Sequence, residues 1–194
     1  RKILNYLKRK KINISNLVDI GCHQGKYFDL FIKNFKISKA ILIEPQKKYY
    51  KYLKLKYKNF KKIKIYNYAI SNKNGLSNFY INHHDLTSSL NKINQKNKFL
   101  RLKSKLFGLK SKNMIKQKMK IKVKKLDYLL KKIQLKDIDF VKIDTEGHEF
   151  EVLKGSKKFL KKFKIILIEF RRDKVYQNYH SSKIHRFILK NNFF

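Results

Sequence analysis

The sequence has one cysteine, one proline and no tryptophan among its 194 residues. A single cysteine, Cys22, excludes an intrachain disulfide and fits a reducing, cytoplasmic setting. Because Cys22 ends an apolar run, we interpret it as a packing residue rather than a nucleophile. No run of about eighteen apolar residues occurs, so no transmembrane helix is predicted. The first residues also lack the apolar core of a secretory signal peptide.

Acidic residues are scarce, since 13 Asp and Glu stand against 50 Lys and Arg and give a formal net charge of +37. A surface of that charge attracts polyanions such as nucleic acid, anionic lipid headgroups or phosphorylated glycans. Most of the basic residues are Lys, and Ile, Asn, Tyr and Phe are abundant as well, which is typical of an AT-rich genome. Codon usage of this kind explains why Lys outnumbers Arg, but it does not explain why acidic residues are few. The high charge is therefore either a functional feature that binds polyanions or a result of compositional bias, and both explanations stay open.

What the sequence does contain is an alternation of apolar runs and amphipathic segments. The strand-like runs are residues 17–22, 40–44, 63–66, 139–144 and 164–170, and the helical segments are residues 27–35, 46–57, 126–135, 149–162 and 180–191. This order predicts one domain over residues 1–194, a Rossmann-like three-layer α/β sandwich with a mostly parallel central sheet.

Residues 77–125 interrupt that order as a Lys/Asn-rich insertion. Asn74-Gly75 is a turn signal between two strand-like stretches and predicts a local hairpin. Residues 82–120 are polar with weak periodicity, and we expect them to lie over one end of the sheet. Alternation returns at residues 120–124.

Glycines and an acidic residue that could bind a ligand follow the first two strands. In doubly wound sheets, ligands bind at the carboxyl ends of the strands. Gly21 and Gly25 after the first strand would let the backbone turn tightly and approach a ligand, although the stretch lacks one glycine of the dinucleotide fingerprint. Glu44 ends the second strand 25 residues after Asp19, near the offset of about 20 residues at which an acid receives ribose hydroxyls.

The third strand is followed by Asn67 and Ala69, which suit an amide hydrogen bond and an apolar wall around a purine. A glycine turn, an acid and then a polar group is the order used by class I methyltransferases. Residues 142–149 read KIDTEGHE and residues 152–155 read VLKG. This stretch closely resembles the K-I-D-x-E-G-x-E…V-L-K-G signature of the FkbM family of methyltransferases, and the other landmarks follow in the family's order from about residue 17 to 170.

The resemblance implies a class I methyltransferase fold, S-adenosylmethionine as cofactor and a set of site residues. The cofactor's methionine portion would be held by Asp19, Gly21 and Gly25, its ribose by Glu44, and its adenine by Asn67 and Ala69. An alcohol acceptor needs a proton acceptor near its oxygen. Asp144 is the first candidate, and Glu146 and His148 are the alternatives.

The insertion supplies the candidates for the acceptor side. Asp85, Ser88 and Ser89 carry a carboxylate and hydroxyls suited to sugar hydroxyls. Lys-rich stretches from 92 to 125 would suit a phosphorylated acceptor, or simply form a solvated face. His83 and His84 are adjacent, and neighbouring residues on a strand point to opposite faces, so no metal site is predicted.

Two departures from the family accompany the resemblance. The family most often has Asn where this chain has His23, and its fold usually ends in a strand pair that would begin where this sequence stops, so we expect truncation before that pair. The predicted function is an O-methyltransferase acting on a hydroxyl of a sugar, glycan precursor or related metabolite. The alternatives are a nucleic-acid methyltransferase, although no N-P-P-Y-type motif follows the fourth strand, and a non-catalytic polyanion-binding protein of this fold.

Overall fold

The computed structural model describes residues 2–106, 114–135, 137–170 and 175–193. The helices are α1 (Lys2–Arg9), α2 (Lys26–Ile32), α3 (Lys47–Lys56), α4 (Lys98–Leu106), α5 (Leu126–Lys132), α6 (Glu149–Lys154) and α7 (Ser181–Lys190). The strands are β1 (Asn16–Ile20), β2 (Lys39–Ile43), β3 (Ile63–Tyr66), β4 (Ala69–Ile70), β5 (Gly75–Asn82), β6 (Ile115–Lys124), β7 (Ile138–Ile143) and β8 (Phe163–Ile168). Within this part of the chain, no helix is long and apolar enough to cross a bilayer.

The central sheet has five parallel strands in the order β3-β2-β1-β7-β8. Alternate residues of its strands pack into two apolar clusters, one on each face. Val18 and Val141 belong to the cluster beside α5 and α6, whereas Leu17 and Phe140 belong to the cluster beside α1 and α2. Burial on both faces explains why these strands are nearly continuous apolar runs. The predicted Rossmann-like α/β sandwich is confirmed.

The chain order reverses between β1 and β7, because β2 and β3 lie on one side of β1 while β7 and β8 lie on the other. Such a reversal opens a crevice at the carboxyl ends of the strands. The ends of β1, β2 and β7, with Gly21, Glu44 and Asp144 directly after them, therefore come together at one edge of the sheet.

The predicted hairpin at Asn74-Gly75 is wrong, because β6 lies between β4 and β5 in a second, three-stranded sheet. β4 pairs with β6 in parallel and β5 pairs with it antiparallel. The ten residues of β6 offer β5 a long partner and bury Phe79 against Ile121 and Val123, whereas β4 has only two residues. The long pairing of β5 with β6 therefore determines the topology of this sheet, in spite of the turn signal at Asn74-Gly75.

Two further elements differ from expectation. The segment expected to form one helix over residues 149–162 ends its α-helix at Lys154, and a 3₁₀ turn follows at Leu160–Lys162. Alternation was expected from residue 120, but β6 already begins at Ile115. Polar residues fill its first half, so apolar periodicity there is weak in the sequence.

Candidate active site

A cavity of about 320 Å³ lies at the carboxyl ends of β1, β2 and β7. One wall is apolar and comes largely from Ala69, Ile70, Phe79 and Leu90. The rest of the lining is mostly polar and comes from the strand ends and from the loops around residues 84–88 and 144–148. An apolar pocket of this size with a few convergent polar groups is typical of small-molecule sites.

Gly21 brings the tips of β1 and β7 into direct contact. Its φ of 78° lies in the left-handed region, and a Cβ at this position would lie 1.9 Å from the backbone oxygen of Asp144. Only glycine therefore fits here. The close contact places the backbone of Gly21 and Asp144 side by side in the cavity lining.

Glu44 is a buried carboxylate, 3% exposed, that lines the cavity at the end of β2. One oxygen accepts the backbone N–H of His23 at 2.9 Å, and the other accepts that of Gln46 at 2.8 Å. Burial raises the pKa of Glu44 to about 7, although the two backbone donors work in the opposite direction. The two hydrogen bonds fix the carboxylate, and its remaining lone pairs are suited to accept hydroxyl protons.

Two predicted cofactor residues, Asn67 and Gly25, lie behind the cavity wall. The Asn67 amide donates to the backbone oxygens of Glu44 at 3.0 Å and Pro45 at 2.9 Å. Gly25 has φ 73°, and a Cβ there would lie 2.5 Å from the Tyr57 hydroxyl oxygen. Neither is among the residues that line the cavity. Both shape the turns that carry the lining residues.

Asp19 was expected to hold part of the cofactor, but its side chain lies beneath the floor, 1% exposed. Lys142 lies beside it on β7, with Nζ 3.4 Å from Asp19 Oδ1 and 2.9 Å from Asp144 Oδ2. Burial raises the pKa of Asp19 despite this cation. Burial alone would lower the pKa of Lys142, but Asp19 and Asp144 raise it. Lys142 is thus a buried cation that reaches upward to hold Asp144 at the cavity.

The loop after β7 is fixed by Glu149, a buried side chain that the sequence analysis did not single out. One of its oxygens accepts the backbone N–H groups of Thr145 and Gly147, each at 3.0 Å. A carboxylate that binds the preceding turn in this way stabilises both the turn and the helix start. Its position, at the first residue of an amphipathic helix, is the only sequence signal for this role.

The three predicted catalytic residues all line the cavity, but they differ in their partners. Glu146 accepts the Tyr176 hydroxyl at 2.6 Å. His148 has Nδ1 2.8 Å from Asn91 Oδ1 and Nε2 3.0 Å from Ser71 Oγ, so both ring nitrogens are engaged. Burial lowers the pKa of His148 to about 4, which keeps the ring neutral. These contacts favour a structural role for His148.

The loop after β5 covers the cavity. The Tyr49 hydroxyl donates to Asp85, and His23 Nε2 lies 3.8 Å from the other Asp85 oxygen. The hydrogen bond from Tyr49 lowers the pKa of Asp85, and His23 and Lys48 act in the same direction. At the far end of the loop, the Tyr176 hydroxyl donates to the Thr87 carbonyl oxygen at 3.0 Å. Two tyrosines from distant segments therefore hold this loop over the site.

Of the three residues predicted to bind the acceptor, two line the cavity and one does not. Asp85 and Ser88 line the cavity, and the Ser88 hydroxyl accepts the backbone N–H of Asn82 at 3.1 Å. Ser89 is 1% exposed and donates to the Thr145 carbonyl oxygen at 3.1 Å, outside the lining. Ser89 therefore joins the covering loop to the loop after β7.

Asp144 and Glu146, which line the cavity, lie close to a third acid, Glu169. Carboxylate oxygens of Asp144, Glu146 and Glu169 lie within 4.8 Å of one another. Three of the 13 acidic residues thus gather where β7 and β8 end. The Lys142 ammonium, 2.9 Å from Asp144, offsets part of this charge.

A sequence model of the Methyltransferase FkbM domain matches residues 19–194, which include every residue of the cavity lining. No curated protein matches the chain.

The crystal structure of methyltransferase FkbM from Methylobacillus flagellatus KT is similar to the chain, with 15% sequence identity and a TM-score of 0.47. The similarity covers 76% of this chain and 30% of that protein, so the chain spans less than a third of its length.

The family expectation from the KIDTEGHE motif is confirmed by the domain match, which includes the motif. The chain belongs to the FkbM methyltransferase family.

Proposed function

We propose that the chain transfers a methyl group from S-adenosylmethionine to a hydroxyl of a sugar, glycan precursor or related metabolite. The observation that carries the proposal is the meeting of Glu44, Gly21 and Asp144 at three adjacent strand ends around one cavity. The family generally uses this cofactor, and the residues present fit it. Gly21 lets the ends of β1 and β7 approach closely beside the cavity, and Glu44 is a buried acid with lone pairs for ribose hydroxyls.

The bound cofactor would supply an activated methyl carbon. Glu44 would bind the ribose hydroxyls, and Ala69, Ile70 and Phe79 would provide an apolar wall for the adenine. Asn67 would act indirectly, because its amide orients the backbone at Glu44 and Pro45.

Asp144 is the residue that we assign to the acceptor proton. Lys142 fixes its carboxylate at 2.9 Å, and an adjacent ammonium favours the ionised carboxylate. The two alternatives are Glu146, which accepts a hydrogen bond from Tyr176, and His148, whose two ring nitrogens are both engaged. Asp85 and Ser88, across the cavity on the covering loop, would bind hydroxyls of the acceptor.

The test is transfer of a tritiated methyl group from S-adenosylmethionine to a panel of free, nucleotide-linked and phosphorylated sugars. We expect incorporation at a hydroxyl, and loss of about 100-fold or more in turnover for Asp144→Asn, the usual scale of general-base catalysis. Asp127→Asn is the matched control, because Asp127 caps a distant turn at the backbone of Lys158.

Two results would contradict this proposal. An Asp144→Asn enzyme that keeps full turnover would exclude Asp144 as the base. Methyl transfer to nucleic acid but to no sugar would instead favour the nucleic-acid methyltransferase alternative.

A further inference from the structure

The second sheet has one apolar and one basic face. Ile121 and Val123 of β6 point inward, where they pack with Phe79 and Ala69 behind the cavity wall. Four lysines occupy alternate positions of the same strand, point outward and are exposed: Lys116, Lys118, Lys120 and Lys122. We call these four residues the lysine row. Lys118, Lys120 and Lys122 lie in regular register with β5 and are about 7 Å apart, and Lys116 continues the row at the register irregularity opposite Ile81 and Asn82.

The β5 residues on the outward face contribute no opposite charge. Lys118 lies opposite Tyr80, Lys120 opposite Asn78 and Lys122 opposite Leu76. Within the described ranges, no ammonium group of the row lies within 4.0 Å of a carboxylate oxygen.

Several of the few acids of the chain are paired with lysines elsewhere. Lys56 pairs with Asp29 at 2.5 Å, and Lys164 pairs with Asp139 at 2.7 Å. Like charges along one face of a sheet repel each other and lower its stability. Lysine-rich composition accounts for many lysines, but not for four in a line without a compensating acid. An anion bound along the row would reduce the repulsion between these lysines.

We propose that the lysine row binds the backbone of an extended single strand of nucleic acid. The row is narrow, and the β5 residues opposite it are the uncharged Leu76, Asn78 and Tyr80. A narrow basic row matches a linear polyanion, whereas a planar anionic membrane would require a broad basic face. Ammonium groups bind phosphates as point charges. The ring of Tyr80 shares the outward face beside Lys118 and offers a surface on which a base can stack.

This surface is separate from the catalytic cavity. Phe79, which lines the cavity, lies on the inner face of the sheet, and the row lies on the outer face. The proposal therefore does not depend on the identity of the methyl acceptor.

The test measures binding of a fluorescein-labelled 20-nucleotide oligothymidine to the full chain by anisotropy, over a range of salt concentrations. The row variant is K116Q/K118Q/K120Q/K122Q. The control variant is K10Q/K51Q/K132Q/K157Q, which removes four exposed lysines from other elements and has the same net charge. Circular dichroism verifies that both variants are folded.

Each phosphate contact with a single strand contributes about 0.7 to the slope of log K against log salt. We expect the slope to fall by about 3 in the row variant and by less than about 1 in the control variant. Tyr80→Leu should weaken binding about fivefold or more and leave the salt slope unchanged, because stacking involves no counterion release. Should the row variant fail to fold, K118Q/K120Q should lower the slope by about 1.4.

Equal losses in the row and control variants would overturn the proposal, because bulk charge alone would then explain binding. A row variant that binds the oligonucleotide normally but loses binding to phosphatidylglycerol vesicles would also overturn it and would assign the face to membranes.

Discussion

Lys142 Nζ lies 2.9 Å from Asp144 Oδ2 and 3.4 Å from Asp19 Oδ1, so one buried cation joins a carboxylate under the cavity floor to a carboxylate at its surface. The arrangement follows from strand geometry. Asp19 and Lys142 are register partners on adjacent parallel strands, and Asp144 follows two residues later, on the same side as Lys142.

Lys142→Met should lower the free energy of unfolding by about 3 kcal/mol, because it leaves Asp19 buried without its cation. The raised pKa of Asp19 lets part of this cost be relieved by protonation. Urea denaturation at pH 7 measures the change. The double variant Asp19→Asn/Lys142→Met should regain more than half of the loss, since both buried charges are then gone. A double variant as unstable as the single one would show that Lys142 stabilises the sheet mainly by packing.

Gly21→Ala should destabilise the chain more than Gly75→Ala does. Both glycines have positive φ, 78° and 130°, so alanine is strained at either position. At Gly75 a Cβ meets nothing within 4 Å, whereas at Gly21 it would lie 1.9 Å from the Asp144 carbonyl oxygen. We expect an extra cost of at least about 2 kcal/mol for Gly21→Ala in thermal denaturation. Equal costs would mean that the β1 and β7 tips can separate freely.

The strand tips were predictable because each ends an apolar run that only a buried strand explains. Gly21, Glu44 and Asp144 were therefore located correctly from local pattern alone. The contacts that complete the site join residues distant in sequence. Tyr176 reaches Glu146 across 30 residues, and no local pattern indicates such pairs. The same limit explains the hairpin error, since the turn at Gly75 is local but the partner strand β6 is not.

The position of Asp19 depends on a distant partner. The family resemblance implies that Asp19 holds part of the cofactor; in the structure its side chain lies beside Lys142 and is not among the residues that line the cavity. Period-two alternation was available in the sequence. The position of Lys142 beside Asp19 could not be predicted, because Lys142 lies on a strand more than a hundred residues away.

Glu44 should make stability depend on pH. Its pKa is raised from 4.5 to about 7, so the folded state binds the proton more tightly than the unfolded state. The sign follows from linkage: this contribution to stability is fully present below about pH 4.5 and is lost as pH rises through about 7, by up to about 3 kcal/mol. Relative to Glu44→Gln, the wild-type melting temperature should therefore fall between pH 5 and pH 8. A difference that is constant across this range would contradict the raised pKa.

The central claim, that the cavity binds S-adenosylmethionine with Glu44 at its ribose, is tested most directly by isothermal titration calorimetry of the purified chain. We predict micromolar binding to the wild type and binding weaker by about 1–3 kcal/mol for Glu44→Ala, because the ribose hydroxyls then lack their acceptor. Glu151→Ala, which removes an acid paired with Lys154 on α6, should bind like the wild type. A folded wild-type chain that does not bind, or a Glu44→Ala variant that binds as tightly as the wild type, would contradict the account.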